Sequence, residues 1–286
     1  MENELNQKKK DYLIPISIFL SVFIVAVGWI YRTGVSVTPS LNIGGVGENE
    51  LPVRWDDLGA RLVKAGVIDE EKFLALYASR GTMNPEFKRL LESENNGYIA
   101  MNKENAGLWL NLFWALGLSN RNDVLDKGPM TDPRYGGAGR FASTGGWTLA
   151  MGDPMNHYST HNFINLTPEQ QGIVEKVAKN IYRPCCDNST YFPDCNHGMA
   201  MLGLLELMAS QGAGEATMYQ SALVVNSFWF PDTYQNIGMF LSQKGINAES
   251  VPPQDVLSAE YSSASGYRTV VAALKPEEDK RASCGI

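Results

Sequence analysis

The sequence contains few of the side chains that most often bind transition metals. Among its 286 residues there are four cysteines and three histidines. Six of these seven residues nevertheless lie between positions 157 and 197. An even distribution along the chain would place about one of them in that window. The clustering therefore indicates a local site, at which metal binding or disulfide formation is the expected chemistry.

Several well-known motifs are absent, and each absence excludes a class of site. There is no Cys-x-x-Cys-His sequence, so covalent c-type haem is excluded. There is no Gly-x-Ser-x-Gly nucleophile elbow and no Ser/His/Asp order of the serine hydrolases. No glutamate lies between His157 and His161, so the zinc-protease motif is also absent.

Basic residues are fewer than acidic ones, 24 against 31, which gives a formal net charge of −7. The only basic run is the lysine triplet at 8–10, near the start of the chain. A protein that binds nucleic acid usually carries a basic patch that neutralises phosphates. Nucleic-acid binding is therefore not expected.

Residues 12–31 contain no charged side chain and are rich in Ile, Val, Leu and Phe. As a helix this run spans about 30 Å, the thickness of the bilayer core. The preceding lysines predict that residues 1–11 are cytoplasmic and that the rest of the chain is extracytoplasmic. A cleaved signal peptide is the alternative, but its apolar region is usually shorter, about 7 to 15 residues. We expect an uncleaved single-pass membrane anchor.

Beyond the anchor we expect a mainly α protein. Residues 32–51 are rich in Gly, Ser, Asn and Val and are predicted to form a stalk, and residues 275–286 a flexible tail. Residues 52–274 are predicted to form one multi-helix extracytoplasmic domain, interrupted by an irregular Gly-rich loop region at 128–147. Helix starts are indicated at Asp69, Asn84 and Thr167. We predict a strand over Tyr267–Leu274.

Residues 108–116 are apolar nearly all round and carry no charge, which is typical of a central buried helix.

Cys185, Cys186, Cys195 and His197 form a Cys₃His set within 13 residues, which suits tetrahedral coordination. A helix predicted to begin at Asp194 would place Cys195 and His197 in its first turn, where the helix N-terminus favours a thiolate. The spacing matches none of the common zinc patterns, so it predicts a metal ion without identifying it. Structural zinc is one option, and copper or another redox metal is the other. An iron–sulfur cluster is disfavoured because it would have to be assembled outside the cytoplasm.

His157 and His161 are further candidate ligands, spaced four residues apart. They would approach Cys195 and His197 if the helix that begins at Pro168 folds back along the chain. The alternative is a pair of polar loop residues. Nearby methionines at 151, 155, 199 and 201 would favour Cu(I), although Met201 also fits a core stripe.

The leading hypothesis is a membrane-anchored, extracytoplasmic metal-binding protein. A second hypothesis pairs Cys195 with Cys185 or Cys186 in a disulfide, since disulfides persist outside the cytoplasm. The chain would then be a disulfide-stabilised helical interaction module of a surface or membrane assembly, with a protein partner. A third hypothesis is a metal- or thiol-dependent enzyme with a Cys/His nucleophilic pair.

Overall fold

The computed structural model describes residues 50–274 of the chain. The predicted anchor at 12–31 and the predicted tail at 275–286 lie outside this range. Within it the chain is mainly helical, as predicted, with twelve α-helices and two short strands. None of the helices between residues 50 and 274 combines the length and the apolarity that a membrane crossing requires.

The strands are β1 (Glu50–Arg54) and β2 (Tyr98–Ala100). The helices, in chain order, are α1 (Leu58–Lys64), α2 (Glu70–Ser79), α3 (Pro85–Glu92), α4 (Ala106–Ser119), α5 (Asp123–Lys127), α6 (Pro168–Ala178), α7 (Asn196–Ser210), α8 (Glu215–Trp229), α9 (Pro231–Gln243), α10 (Pro253–Val256), α11 (Ala259–Ser262) and α12 (Ala264–Leu274). The Gly-rich region is irregular, as expected, and contains short 3₁₀ turns at Pro129–Thr131, Pro133–Tyr135 and Ala138–Arg140.

The two strands form an antiparallel ribbon in which Leu51 lies opposite Ile99. Side chains alternate between exposed and buried along β1, and Leu51 is buried in the core. Residues 50 and 51, which the sequence assigned to the predicted stalk, lie in β1.

Three helix starts lie where the capping signals predicted them. Asp69 accepts a hydrogen bond from the backbone N–H of Lys72, and Asn84 caps α3 in the same way. At α6 the Thr167 hydroxyl accepts from the Gln170 N–H at 3.2 Å, and the Gln170 side chain accepts from the Thr167 N–H at 2.9 Å. This reciprocal pair is a capping box, as the Thr-Pro-Glu-Gln sequence indicated.

Helices α4 and α7 pack against each other through two glycines. A methyl group on Gly117 would lie 2.1 Å from the carbonyl oxygen of Met199, and one on Gly203 would lie 2.3 Å from that of Phe113. Only glycine permits such a close approach of two helix backbones. The crossing fixes the position of α7, whose N-terminus carries the cysteine site.

The predicted strand at Tyr267–Leu274 is wrong, because this segment belongs to helix α12. The β-branched residues Thr269, Val270 and Val271 suggested a strand. In the structure, one residue of α12 is buried, Val270, and Tyr267 accepts a hydrogen bond from Asn236 of α9 at 2.7 Å. Packing against neighbouring helices thus overrides the local strand propensity.

Candidate metal and thiol site

Three cysteine sulfurs converge in the segment between α6 and α7. The Sγ atoms of Cys185, Cys186 and Cys195 all lie within 4.8 Å of one another. The Cys185 and Cys195 sulfurs are 3.4 Å apart, and all three residues are free thiols. Sulfurs on a tetrahedral zinc ion with bonds of about 2.3 Å are about 3.8 Å apart. The three thiols are therefore already near the spacing that one metal ion requires.

Cys195 is the N-cap of α7, a position that sequence analysis assigned to Asp194. Its sulfur accepts a hydrogen bond from the backbone N–H of Gly198 at 3.4 Å. The free N–H groups and the dipole of a helix N-terminus stabilise negative charge. Cys195 therefore lies one residue before the helix and not within its first turn. The N-cap position is a stronger reason to expect a thiolate there. His197 lies in the first turn, as predicted.

Arg183 is a part of the site that sequence analysis missed. Its side chain is only 1% exposed, and its Nε donates a hydrogen bond to the Cys195 sulfur at 3.0 Å. One terminal nitrogen, Nη2, forms an ion pair with Asp194 at 2.8 Å and also donates to the Phe192 carbonyl. The other, Nη1, donates to the Asn188 carbonyl at 2.9 Å. A buried guanidinium therefore lies directly against Cys195, and it ties the ends of the cysteine loop together.

Gly198 makes room for this arginine. A methyl group at Gly198 would lie 2.4 Å from Nη2 of Arg183, so the guanidinium packs against the backbone of the first turn of α7. Two features of the sequence were available as signals: Gly198 in the first turn of a largely apolar helix, and Arg183 before Pro184. The sequence alone does not show that these two residues are neighbours in the fold.

The contacts within the cluster separate the thiol pKa values. The pKa of Cys195 is lowered, chiefly by hydrogen bonds with Cys185 and Cys186 and further by His197 and by the charge of Arg183. The pKa of Cys185 is raised, because its hydrogen bonds with Cys186 and Cys195 retain its proton. At Cys186 the hydrogen bond with Cys185 lowers the pKa, but the contact with Cys195 and burial outweigh it and raise the value to about 11. Of the three thiols, Cys195 is therefore the one whose surroundings favour the thiolate.

His197 lies beside this thiolate. Its Nδ1 atom is buried and has no hydrogen-bond partner among residues 50–274. Its ring packs against Phe230, with 4.5 Å between the ring centroids, and against Trp229. His197 contributes to lowering the pKa of Cys195. In the described part of the chain, however, the group of potential ligand atoms that all lie within 4.8 Å of one another contains only the three sulfurs. A buried nitrogen without a partner is nevertheless rare and needs an explanation.

The N-terminus of α12 covers the cysteine loop from the outside. The backbone N–H of Ala264 donates to the Cys186 carbonyl at 3.0 Å, and that of Ser265 donates to the Asp187 carboxylate at 2.6 Å. The pKa of Asp187 is lowered by these hydrogen bonds with Ser265. Helix α12 thus fixes the vicinal cysteines from one side, while α7 fixes Cys195 from the other.

His157 and His161 make a separate pair. Nδ1 of His157 lies 3.0 Å from Nε2 of His161, and the His161 ring stacks on Phe163. The pKa of His161 is lowered by burial and by the neighbouring His157. Each imidazole therefore has the other as its hydrogen-bond partner. Within the described residues neither histidine joins the sulfur group, although sequence analysis counted both among the candidate ligands.

Two of the four neighbouring methionines belong to the hydrophobic core. Met199 and Met201 are almost completely buried on α7, where they belong to the core, and Met151 is 59% exposed. The core interpretation of Met201 agrees with the structure.

Comparison of the chain with protein-family models, with curated proteins and with solved structures gave no match. The interpretation of the site therefore depends on its own geometry.

Proposed function

We propose that this chain is a membrane-anchored, extracytoplasmic protein that binds one zinc or Cu(I) ion through Cys185, Cys186 and Cys195. The observation that carries the proposal is the convergence of the three sulfurs within 4.8 Å of one another. Thiolates are the preferred ligands of both ions. The uncharged run at residues 12–31 supports the location.

The cysteine cluster favours a bound metal cation even though the positively charged side chain of Arg183 lies beside it. Three thiolates bring three negative charges, which exceed the charge of either ion. The guanidinium of Arg183 hydrogen-bonds to the Cys195 sulfur and offsets part of this excess. Such outer contacts orient a ligand and adjust its affinity for the metal.

The fourth ligand distinguishes zinc from Cu(I). Zinc is almost always four-coordinate in protein sites of this kind, and the buried, unpartnered Nδ1 of His197 is the candidate to complete a Cys₃His set. Soft thiolates alone are suitable ligands for Cu(I), so it does not require His197. We therefore expect His197→Ala to weaken zinc binding strongly and to leave Cu(I) binding nearly unchanged.

The exposure of the site favours exchange of the ion over a permanently closed structural role. Cys185 is exposed to solvent, whereas Cys186 and Cys195 are half-buried. An ion or a donor protein can reach Cys185 first, and the ion can then be taken over by the other two thiols. Uptake and transfer of a metal ion is the activity that this arrangement suits best.

One observation favours a second candidate function. The Cys185 and Cys195 sulfurs are only 3.4 Å apart, and the pKa of Cys195 is lowered, which favours the thiolate that attacks in disulfide exchange. On this hypothesis Cys195 attacks the disulfide of an external thiol oxidant, Cys185 then displaces the oxidant's second sulfur, and the oxidant leaves as a dithiol. The resulting Cys185–Cys195 disulfide stabilises an interaction module, and Cys186 remains a free thiol.

The test is the metal content of the chain purified in detergent without oxygen and without added metal. We expect about one equivalent of zinc or copper, which is lost in Cys195→Ser and Cys185→Ser. The fourth cysteine, Cys284, lies far from the cluster in the sequence, so Cys284→Ser is the matched control and should retain the metal. A chain without metal, with Cys185 and Cys195 linked in peptide mass spectrometry, would contradict the proposal and support the disulfide hypothesis.

A further inference from the structure

One face of the central helix α4 lines an open cavity. The cavity has a volume of about 300 Å³ and is lined on this side by Gly107, Leu110, Asn111 and Trp114. Their spacing places all four on one helix face. The apolar sequence predicted burial on every side, yet Leu110, Asn111 and Trp114 are only half-buried. Apolar surface that the described fold does not cover, facing a cavity, is typical of a ligand site.

Trp114 forms an apolar wall of this cavity. Its half-buried ring is held in edge-to-face contact by Trp147, with 4.8 Å between the ring centroids, and Trp147 itself is only 1% exposed. The indole N–H of Trp114 donates to the Ser143 carbonyl at 2.6 Å, and that of Trp147 donates to the Val67 carbonyl at 2.9 Å. Because the polar group of Trp114 is already satisfied within the protein, its ring offers a ligand apolar surface. A flat, apolar group fits this wall best.

Arg80 supplies positive charge at the same cavity. It follows the last residue of α2 and is exposed. Among residues 50–274 it takes part in none of the ion pairs. A guanidinium without a carboxylate partner, beside an apolar wall, is suited to a planar acid, whose carboxylate it can bind through two hydrogen bonds.

The cavity also adjoins the cysteine site. Asn196, the first residue of α7, lines it and lies between Cys195 and His197 in the sequence. The Asn196 side-chain oxygen accepts a hydrogen bond from the His197 N–H at 3.0 Å. A ligand in the cavity therefore lies against the turn that carries two of the candidate metal ligands.

We propose that this cavity binds a small planar organic acid, with its ring against Trp114 and its carboxylate on Arg80. The volume is at the lower end of the range for ligand sites, about 300 to 1,000 Å³, which limits the ligand to one or two rings. The proposal does not depend on whether the cysteines bind a metal.

The test compares 1-naphthoate with its uncharged amide, by isothermal titration calorimetry on the full chain in detergent. We expect naphthoate to bind about tenfold more tightly than the amide, because only the acid pairs with Arg80. In Arg80→Gln the affinity for naphthoate should fall to that for the amide. Arg89→Gln, which removes an exposed arginine paired with Glu86 on α3, is the matched control and should change nothing.

A second variant localises the binding. A methyl group at Gly107 would meet no atom within 4 Å, so the Cβ of Gly107→Leu has open space from which the side chain can extend into the cavity, and the change improves helix propensity. We expect this variant to melt at or above the wild-type temperature and to lose naphthoate binding at least about tenfold. The proposal is overturned if naphthoate does not bind at millimolar concentration, or if it binds equally to the wild type, Arg80→Gln and Gly107→Leu.

Discussion

Replacement of Arg183 by methionine is the sharpest structural test of the cysteine site. The guanidinium is 1% exposed and donates four hydrogen bonds, to the Cys195 sulfur, to the Asp194 carboxylate and to two backbone carbonyls. Removing one partner of a buried ion pair costs about 3–5 kcal/mol. Asp194 keeps a hydrogen bond from the Asn188 side chain at 2.8 Å, and its side chain is 21% exposed. We therefore expect a loss at the lower end, about 3 kcal/mol of the free energy of unfolding.

The assay is urea unfolding followed by tryptophan fluorescence, in the presence of a chelator so that metal binding does not contribute. Arg183→Lys is the companion variant. It keeps the charge but loses the planar fork of donors, so its stability should lie between those of the wild type and Arg183→Met. In a separate metal titration, Arg183→Met should weaken binding by about 10- to 100-fold, as is usual when an outer contact to a ligand is lost. Stability of Arg183→Met within about 0.5 kcal/mol of wild type would refute this account of the buried network.

Three further predictions concern the helices that position the site. Burial raises the pKa of Glu206 well above its ordinary value of about 4.5. The wild type should therefore lose stability as the pH rises above about 4.5, by about 1.4 kcal/mol per pH unit, until the pH reaches the folded-state pKa of Glu206. Glu206→Gln should lack this slope in urea unfolding at pH 5 and pH 7. Gly203→Ala should cost about 1–3 kcal/mol and lower the melting temperature, because the new methyl group would lie 2.3 Å from the Phe113 carbonyl oxygen. Thr167→Ala should lower the free energy of unfolding by about 1 kcal/mol through loss of the capping box with Gln170.

Each of these has its own contradicting result. A Glu206→Gln variant with the same pH slope as the wild type would mean that another group controls the stability between pH 5 and pH 7. An unchanged melting temperature for Gly203→Ala would mean that α4 and α7 can separate at little cost. Gly172→Ala is a matched control for the glycine, since a methyl group there would meet nothing within 4 Å.

Local signals predicted the helical part of the fold well. Caps depend on residues a few positions apart, so Asp69, Asn84 and Thr167 could be recognised from the sequence, and so could the mainly α class. The segment at Tyr267–Leu274 could not, because its helix packs against α9, whose Asn236 lies 31 residues before Tyr267 in the sequence. The ribbon of β1 and β2 was missed for the same reason, since its strands are separated by three helices.

Of the six candidate ligands, three cysteines lie together in the structure, but the surroundings of the site could not be predicted. The scarcity of cysteine made the cluster conspicuous, and the structure brings three of the predicted residues together. Arg183 could not be found, because a charged residue in the sequence is normally assigned to the surface. The position of the His157–His161 pair relative to the sulfurs depends on how the chain between residues 120 and 166 folds. The i, i+4 spacing of the two histidines does not predict that fold.

X-ray absorption spectroscopy at the metal edge, on the anaerobically purified chain, tests metal binding by the three cysteines most directly. We predict three sulfur neighbours at about 2.3 Å, with one nitrogen added if the ion is zinc, and no metal-edge signal from Cys195→Ser purified in the same way. A metal with fewer than two sulfur neighbours, or a spectrum that Cys195→Ser does not change, would contradict metal binding by Cys185, Cys186 and Cys195.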